Sequence, residues 1–302
     1  MEYEEELYNS TPTIEEVAAA IARKKGGKAT TDFKNEMIKK GDKQMAQAIM
    51  PVIEAVWREE NIPSKWNEGI ITSLWKGKGD REDPKNHRGI TVSSAIGTIP
   101  EMIINDRYTR HMKFTQAQAG GRGNYSTCDH VFVIRAITEY SLKMKKKIFV
   151  TFYDVSKAFD HAEVNDMFYA AWKSGIKGKI WRLGKRFQEK LTARVKTRYG
   201  DSRCIKRQCG GKQGGHIMPT IFGKMMDTLA DELLEEQMIG ARIEGMLIPA
   251  LLFVDDATTI TEGEQDQVKM LEKMAEFAKK HKMEWGIDKC KVMQIGRGTN
   301  HS

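Results

Sequence analysis

The chain has 302 residues, of which 40% are hydrophobic and 30% charged, and a formal net charge of +8. This composition is typical of a folded globular protein, long enough to bury a substantial core in one large domain or two lobes. No uninterrupted apolar stretch approaches the ~20 residues of a membrane-spanning helix, and the acidic N-terminus does not resemble a secretory signal, so an intracellular protein of the cytoplasm or nucleus is expected.

Hydrophobic periodicity predicts alternating helices and strands in the first half of the chain. In chain order these are helices at 14–25 and 43–60, a strand at 68–75, a returning strand at 90–92, and helices at 98–113 and 128–145. The basic, glycine-punctuated turn at 76–80 indicates that the two strands form a hairpin. Ser126 or Thr127 is the expected N-cap of the last helix.

The second half of the chain continues the alternation. Its predicted elements are a strand ending at Asp154, a helix to 172, a basic helix to 190, a strand pair across 194–207, a glycine-rich loop at 210–215, a helix at 217–236, a hairpin around 255, a helix at 264–282 and a strand near 292. For the helix at 264–282 we expect a buried face of Val268, Leu271, Met274, Ala275 and Ala278.

Two adjacent carboxylates interrupt the apolar segment 251–260, whose sequence is Leu-Leu-Phe-Val-Asp-Asp-Ala-Thr-Thr-Ile. A strand, a tight turn with Asp255 and Asp256 at its tip, and a returning strand are predicted. Like charges this close raise each other's pKa unless a cation or a donor lies between them. A metal site is one interpretation; the other is an ordinary turn, in which aspartate is common for its local hydrogen bonds.

A third carboxylate, Asp154, ends the strand-like run Ile-Phe-Val-Thr-Phe-Tyr at 148–153. The order of elements predicts an α+β fold in which this strand and the Asp255 hairpin are neighbours in one sheet packed on helices. The three carboxylates, with the backbone carbonyl of Val155, would then hold two Mg²⁺ ions about 3.5 to 4 Å apart, as in two-metal phosphoryl-transfer sites.

The basic charge is concentrated between Lys173 and Lys212, where 14 residues are Lys or Arg and only two are acidic. Aromatic residues are interleaved with these charges. Clustered cations gain from counterion release on nucleic acid, so a phosphate-backbone contact surface is favoured over a merely solvated face. Arg194, Lys196 and Arg198 are the candidate contacts.

Ordered blocks along nearly the whole chain resemble the reverse transcriptases, most closely those of non-LTR (LINE-type) retrotransposons, with group II intron enzymes as relatives. The blocks are Ile62-Pro63-Ser64-Lys65-Trp66, 76–80 with 86–90, 118–127, Phe152-Tyr153-Asp154 through Phe159-Asp160, Gly211-Lys212-Gln213-Gly214, Phe253-Val254-Asp255-Asp256 and 288–293. The resemblance implies fingers and palm of a right-hand polymerase, with the thumb absent or truncated because the chain stops soon after the last motif.

The family pattern implies a role for each matching residue. Asp154, Asp255 and Asp256 correspond to the catalytic metal ligands, and Phe159 to an aromatic gate that excludes a ribose 2′-hydroxyl. The residues implied to bind the incoming deoxynucleotide, besides Phe159, are Lys76, Arg88, Gln213 and Gly214. Lys289 corresponds to a lysine that protonates pyrophosphate, with a solvated surface lysine as the alternative. Val254 departs from the family, which usually has alanine there.

The resemblance also implies an organisation and partners. The expected segments are an N-terminal helical extension at 1–60, fingers at 61–115, the palm with the first catalytic motif at 116–172, the basic segment of fingers or palm at 173–208, and the palm with the remaining motifs at 209–302. The expected partners are an RNA template, a DNA or RNA primer, deoxynucleoside triphosphates and Mg²⁺, with Mn²⁺ as a substitute. An RNA-directed RNA polymerase and a catalytically silent nucleic-acid-binding scaffold are the alternatives.

Overall fold

A computed structural model of the chain describes residues 7–27, 29–30, 34–156, 162–189, 191–207, 210–212, 214–235 and 239–296. The chain divides into two compact units: the first is Met1–Met112 with Gly175–Met218, and the second is Lys113–Ser174 with Pro219–Ser302. Each unit is therefore assembled from two separate stretches of sequence.

Helices and strands alternate as the sequence predicts. The helices are α1 (Ile14–Ala22), α2 (Asn35–Lys40), α3 (Asp42–Glu59), α4 (Thr98–His111), α5 (Thr127–Lys143), α6 (Val164–Lys173), α7 (Gly178–Gln188), α8 (Ile217–Glu235) and α9 (Glu264–Lys280). The strands are β1 (Glu68–Trp75), β2 (His87–Val92), β3 (Ile148–Tyr153), β4 (Thr192–Thr197), β5 (Gly200–Asp201), β6 (Ile205–Lys206), β7 (Ala241–Ile243), β8 (Met246–Ile248), β9 (Ala250–Phe253), β10 (Asp256–Glu262) and β11 (Lys291–Ile295).

The first unit packs α1, α3 and α4 together and carries a sheet in the order β2-β1-β4-β5, with β6 also paired to β4. The predicted hairpin is present: β1 and β2 pair antiparallel from Ile70↔Val92 to Trp75↔His87. Strand β4 joins β1 in parallel. Arg107, only 5% exposed, ties the helices to the N-terminal segment by donating to the Glu16 carboxylate and to the Tyr8 and Ser10 carbonyls.

The second unit is built on an antiparallel sheet in the order β11-β3-β10-β9. One apolar cluster of this unit joins α5 to the sheet; its buried members are Ile137, Ile148, Val150, Ala241, Leu251 and Ile260. Buried polar groups near α9 are satisfied, because Gln267 accepts from the Thr261 hydroxyl and donates to the Thr151 hydroxyl, both at 2.8 Å. Strand β3 is a central strand of this sheet, because it pairs with β11 on one side and with β10 on the other.

The structure corrects several details of the predicted elements. Helix α2 and the β7–β8 pair were not predicted. The buried face of α9 was predicted wrongly in part, because Val268, Leu271 and Ala275 are exposed. The residues of α9 that are buried are Gln267, Met270, Met274, Phe277 and Ala278. Among the described residues, no helix combines the length and apolarity needed to cross a bilayer.

Candidate active site

Asp154 follows the last residue of β3 and lies between two neighbouring strands. On one side the register Ala257↔Tyr153 leads to Asp256 beside Asp154. On the other side the register Lys291↔Phe152 brings Lys289 to the same end of the sheet. The prediction that Asp154 and the acidic hairpin lie on neighbouring strands of one sheet is thus confirmed.

The acidic hairpin has a two-residue turn. Because Phe253 pairs with Asp256, the turn consists of Val254 and Asp255 alone, and Asp256 is the first residue of β10 rather than part of the tip. Val254 has a φ of 58°, a left-handed conformation that a β-branched residue rarely adopts and that costs on the order of 1–3 kcal/mol. Asp255, one of the three catalytic candidates, therefore lies on a strained turn.

Partial burial and the neighbouring acids together set the electrostatic environment of the site. Partial burial raises the pKa of the Asp256 carboxyl, and the negative charges of Asp255 and Asp154 raise it further, while Lys289 opposes them. Lys289 Nζ donates to Asp154 Oδ2 at 2.6 Å. Both side chains of this ion pair are partly exposed, so the pair itself adds little to stability.

The residues available to hold a metal ion are oxygen donors. Among the described residues, no group of three or more His, Cys, Asp or Glu side chains is arranged to hold a metal ion, and Asp154 is paired with Lys289. The donor chemistry suits a hard cation, because Mg²⁺ prefers carboxylate oxygens. The raised pKa of Asp256 reflects burial first and then the negative charge of Asp255 and Asp154, which a cation would offset. The bridge between Val155 and Trp285 uses the carbonyl of Asp154 and the N–H of Ser156, and therefore does not use the Val155 carbonyl.

Three of the residues expected to contact the nucleotide lie on or against the β1–β2 hairpin of the first unit. Leu74 pairs with Arg88, and Lys76 follows two residues later, so Lys76 and Arg88 project from the same face of the β1–β2 hairpin. Gly214 approaches β2 so closely that an added Cβ would lie 3.3 Å from the Thr91 carbonyl oxygen, and its φ of 94° favours glycine. Gln213 and Phe159 lie outside the described residues.

The glycine-rich loop at 210–215 rests on a buried acid that sequence analysis missed. Glu101, fully buried in α4, accepts from the His216 N–H at 2.8 Å. Its other oxygen lies 3.5 Å from Nζ of Lys212, which is itself 3% exposed. Burial lowers the pKa of nearby Lys24 to about 8, and the charge of Glu101 opposes that shift. A lone glutamate within the apolar run Ile-Pro-Glu-Met-Ile-Ile was the signal in the sequence.

The basic segment splits into buried and exposed parts. Lys212 is buried against Glu101, whereas Arg182 is exposed but donates to the Glu60 carboxylate at 2.6 and 2.7 Å. Phe187 is a core residue. The residues predicted to contact nucleic acid are exposed on β4 and the turn after it. Arg194 and Lys196 lie on the same face of β4, and Arg198 directly follows the strand. Tyr199 at the tip is 89% exposed, with the Arg198 guanidinium carbon 5.3 Å from its ring centroid.

The fold and the site together define a class of protein. The second unit has acids at adjoining ends of antiparallel strands, and the first has a basic hairpin beside a glycine-rich loop. This α+β architecture is that of the fingers and palm of right-hand polymerases, as the sequence indicates. The chain belongs to the reverse transcriptase family, because residues 76–299 match the family model described as "Reverse transcriptase (RNA-dependent DNA polymerase)".

The similar curated proteins come from retrotransposons of insects. The chain is 27% identical over 207 residues to the "Retrovirus-related Pol polyprotein from type-1 retrotransposable element R2" of Popillia japonica, covering 68% of this chain and 29% of that protein. It is 24% identical over 215 residues to the polyprotein of the type-2 retrotransposable element R2DM of Drosophila melanogaster, covering 70% of this chain and 20% of that protein. The resemblance to the non-LTR retrotransposon enzymes is thereby confirmed. This chain spans less than a third of each of these two relatives.

Solved structures of the same fold include yeast telomerases. An apo telomerase from Candida tropicalis, truncated from the C-terminal domain, superposes with a TM-score of 0.57 at 15% identity, covering 80% of this chain and 52% of that one. A telomerase from Candida albicans, in complex with a fragment of telomeric RNA, gives 0.56 at 11% identity, covering 80% and 44%. At these identities the likeness concerns the fold alone, and it supports the predicted fingers-and-palm architecture.

Proposed function

We propose that the chain is the core of an RNA-directed DNA polymerase that extends a primer with deoxynucleoside triphosphates on an RNA template. The observation that carries the proposal is the placement of Asp154 beside the Val254–Asp255 turn and Asp256, where burial and the neighbouring acids raise the pKa of the Asp256 carboxyl. The first unit would then act as fingers and the second as palm. Primer extension by the purified chain, with and without Mg²⁺, tests the proposal directly.

The acids would hold the metal ions. Asp154, Asp255 and Asp256, with the backbone carbonyl of Val155, are the proposed ligands of two Mg²⁺ ions, for which Mn²⁺ substitutes. When bound, such ions lower the pKa of the attacking primer hydroxyl and neutralise charge on the departing pyrophosphate. Lys289, whose ammonium group donates to Asp154 at 2.6 Å, is the proposed proton donor to pyrophosphate.

The hairpin and the loop of the first unit would bind the nucleotide. Lys76 offers a point charge and Arg88 a planar fork to triphosphate oxygens, from one face of the hairpin. At Gly214 the absence of a side chain lets the backbone lie close to β2, and with Gln213 it would support the nascent base pair. Binding and orientation of the triphosphate would thus come from the chain's own cations.

Sugar selection is proposed to depend on Phe159. Phe159→Val should raise the ratio of ribonucleotide to deoxynucleotide kcat/KM by roughly 10-fold or more, because removal of the ring opens space for the 2′-hydroxyl. Single-nucleotide incorporation on an RNA template measures the ratio. Phe152→Val, the same change two residues before Asp154, should leave the ratio unaltered. An unchanged ratio in Phe159→Val would remove the gate assignment, and a wild type that prefers ribonucleotides would favour an RNA-directed RNA polymerase.

Template–primer binding is proposed to involve the exposed cations of β4. Reversing Arg194, Lys196 and Arg198 to glutamate should weaken binding and flatten the dependence of log Kd on log salt by about 2–3, since each lost phosphate contact removes about 0.7–0.9 from the slope. Fluorescence anisotropy across a salt series measures both quantities. The same reversal at Lys39, Lys40 and Lys43, exposed lysines of the first unit, is the control. Equal affinities for the two triple variants at moderate salt would show that β4 does not contact the nucleic acid.

A catalytically silent scaffold is the second candidate function. The ion pair between Lys289 and Asp154 favours it, because that pair engages one of the proposed metal ligands. A chain that binds template–primer in the anisotropy assay but extends no primer with either Mg²⁺ or Mn²⁺ would be such a scaffold.

A further inference from the structure

A fully buried glutamine reaches the acidic turn. Gln118 is 0% exposed. Its side-chain oxygen accepts from the N–H of Gly120 at 2.9 Å and from the N–H of Val254 at 3.0 Å. Its amide nitrogen donates to the Gly223 carbonyl in α8 at 3.1 Å. The side chain therefore links helix α8 to the first residue of the turn, in the interior of the second unit.

The backbone around Gln118 runs along β9. Ala119 N–H donates to the Leu252 carbonyl at 2.9 Å, and Leu252 N–H donates to the Ala117 carbonyl at 2.8 Å. Gly120 continues this contact to the turn, where an added Cβ would lie 2.4 Å from Val254 N. Any residue larger than glycine at position 120 would displace the turn. The backbone of residues 117–120 therefore packs directly against β9 and the turn.

The turn gains from such support because Val254 is held at a φ of 58°. A β-branched residue leaves this conformation readily unless its surroundings fix it. The hydrogen bond from Val254 N–H to Gln118 acts on that residue, and Asp255 follows it directly. The conformation of the turn therefore sets the orientation of the Asp255 and Asp256 carboxylates.

We propose that Gln118 is a positioning residue that fixes the Val254–Asp255 turn and thereby orients Asp255 and Asp256 toward a divalent cation; this inference rests on the proposed function. Gln118 itself touches no nucleotide or metal in this role. Its effect on the acids passes through the backbone N–H of Val254.

The test uses Gln118→Met, which keeps the length of the side chain and removes its hydrogen bonds. Binding of Mn²⁺ to the full chain with template–primer, measured by electron paramagnetic resonance, should weaken by roughly 10-fold or more, the range seen when groups that orient metal ligands are lost. The KM for deoxynucleotide should change little while kcat falls. Gln267→Met is the matched control, because Gln267 is also buried in the second unit but bonds to Thr151 and Thr261 away from the turn.

A second-site variant separates positioning from stability. Val254→Gly tolerates a positive φ without strain, so it should restore much of the Mn²⁺ affinity in the Gln118→Met background without restoring the thermal midpoint. If Gln118→Met does not fold, Gln118→Asn, one methylene shorter, is measured in the same way. Mn²⁺ affinity that stays at the wild-type value in the folded Gln118 variant, with only the thermal midpoint lowered, overturns the inference. Failure of the wild type itself to bind Mn²⁺ or extend a primer overturns the proposed function and this inference with it.

Discussion

Asp255→Asn is expected to lower the rate of primer extension by roughly 10³-fold or more. The charge stabilisation supplied by a correctly held cation is worth several kcal/mol, and each ~1.4 kcal/mol is a factor of ten in rate. Asparagine keeps the size of the side chain but loses the negative charge at the turn. Single-turnover extension with saturating deoxynucleotide and Mg²⁺ measures the effect without a contribution from product release.

Asp266→Asn provides the control for this change. It makes the same substitution in the same unit, in the first turn of α9, away from the acidic turn. We expect wild-type extension from it. A rate within tenfold of wild type for Asp255→Asn would remove Asp255 from the proposed metal ligands, and template–primer binding by the variant would show that its fold is intact.

Glu101→Gln is expected to destabilise the chain by about 3–5 kcal/mol, the usual cost of removing one partner from a buried charge pair. The glutamine can still accept from the His216 N–H, but Lys212, 3% exposed, loses the carboxylate that lies 3.5 Å from its ammonium group. Lys24, whose pKa burial already lowers to about 8, loses the charge that opposes that shift. Equilibrium unfolding in urea at pH 7 measures the loss.

Two further variants make the Glu101 result specific. Glu272→Gln, at an exposed position of α9, should change the free energy of unfolding by no more than about 0.5 kcal/mol, as is usual for surface substitutions. Combining Glu101→Gln with Lys212→Met should recover part of the lost stability, because the buried cation no longer lacks a partner. A loss for Glu101→Gln as small as that of the control would show that the buried pair contributes nothing.

Strand and helix positions followed closely from local pattern. Strands β1 and β3 end where their alternating or apolar runs end, and α5 begins at the predicted cap, Ser126. The elements that escaped prediction are short: α2 has six residues, and β7 and β8 have three each. So few residues carry too little periodicity to be distinguished from a loop.

The buried face of α9 shows why periodicity was not sufficient. Apolar Val268 and Leu271 face solvent, whereas polar Gln267 is buried. A glutamine is tolerated inside because Thr151 and Thr261 satisfy its amide. Thr261 lies six residues before Gln267, but Thr151 lies on β3, 116 residues away in sequence, so hydrophobicity along the helix alone could not reveal this pair of partners.

The sequence by itself determined the family, the α+β class and the acidic strand ends, because strand periodicity and motif order are local properties of the chain. Only the tertiary structure decided what surrounds those acids: that Lys289 pairs with Asp154, that Glu101 supports the glycine-rich loop, and that Gln118 bonds to the turn. Each of these contacts joins residues more than 100 positions apart. The Glu101 and Gln118 contacts depend on burial and hydrogen-bond satisfaction in the folded core. The Lys289–Asp154 pair depends on the register between β3 and β11, and no local pattern encodes either condition.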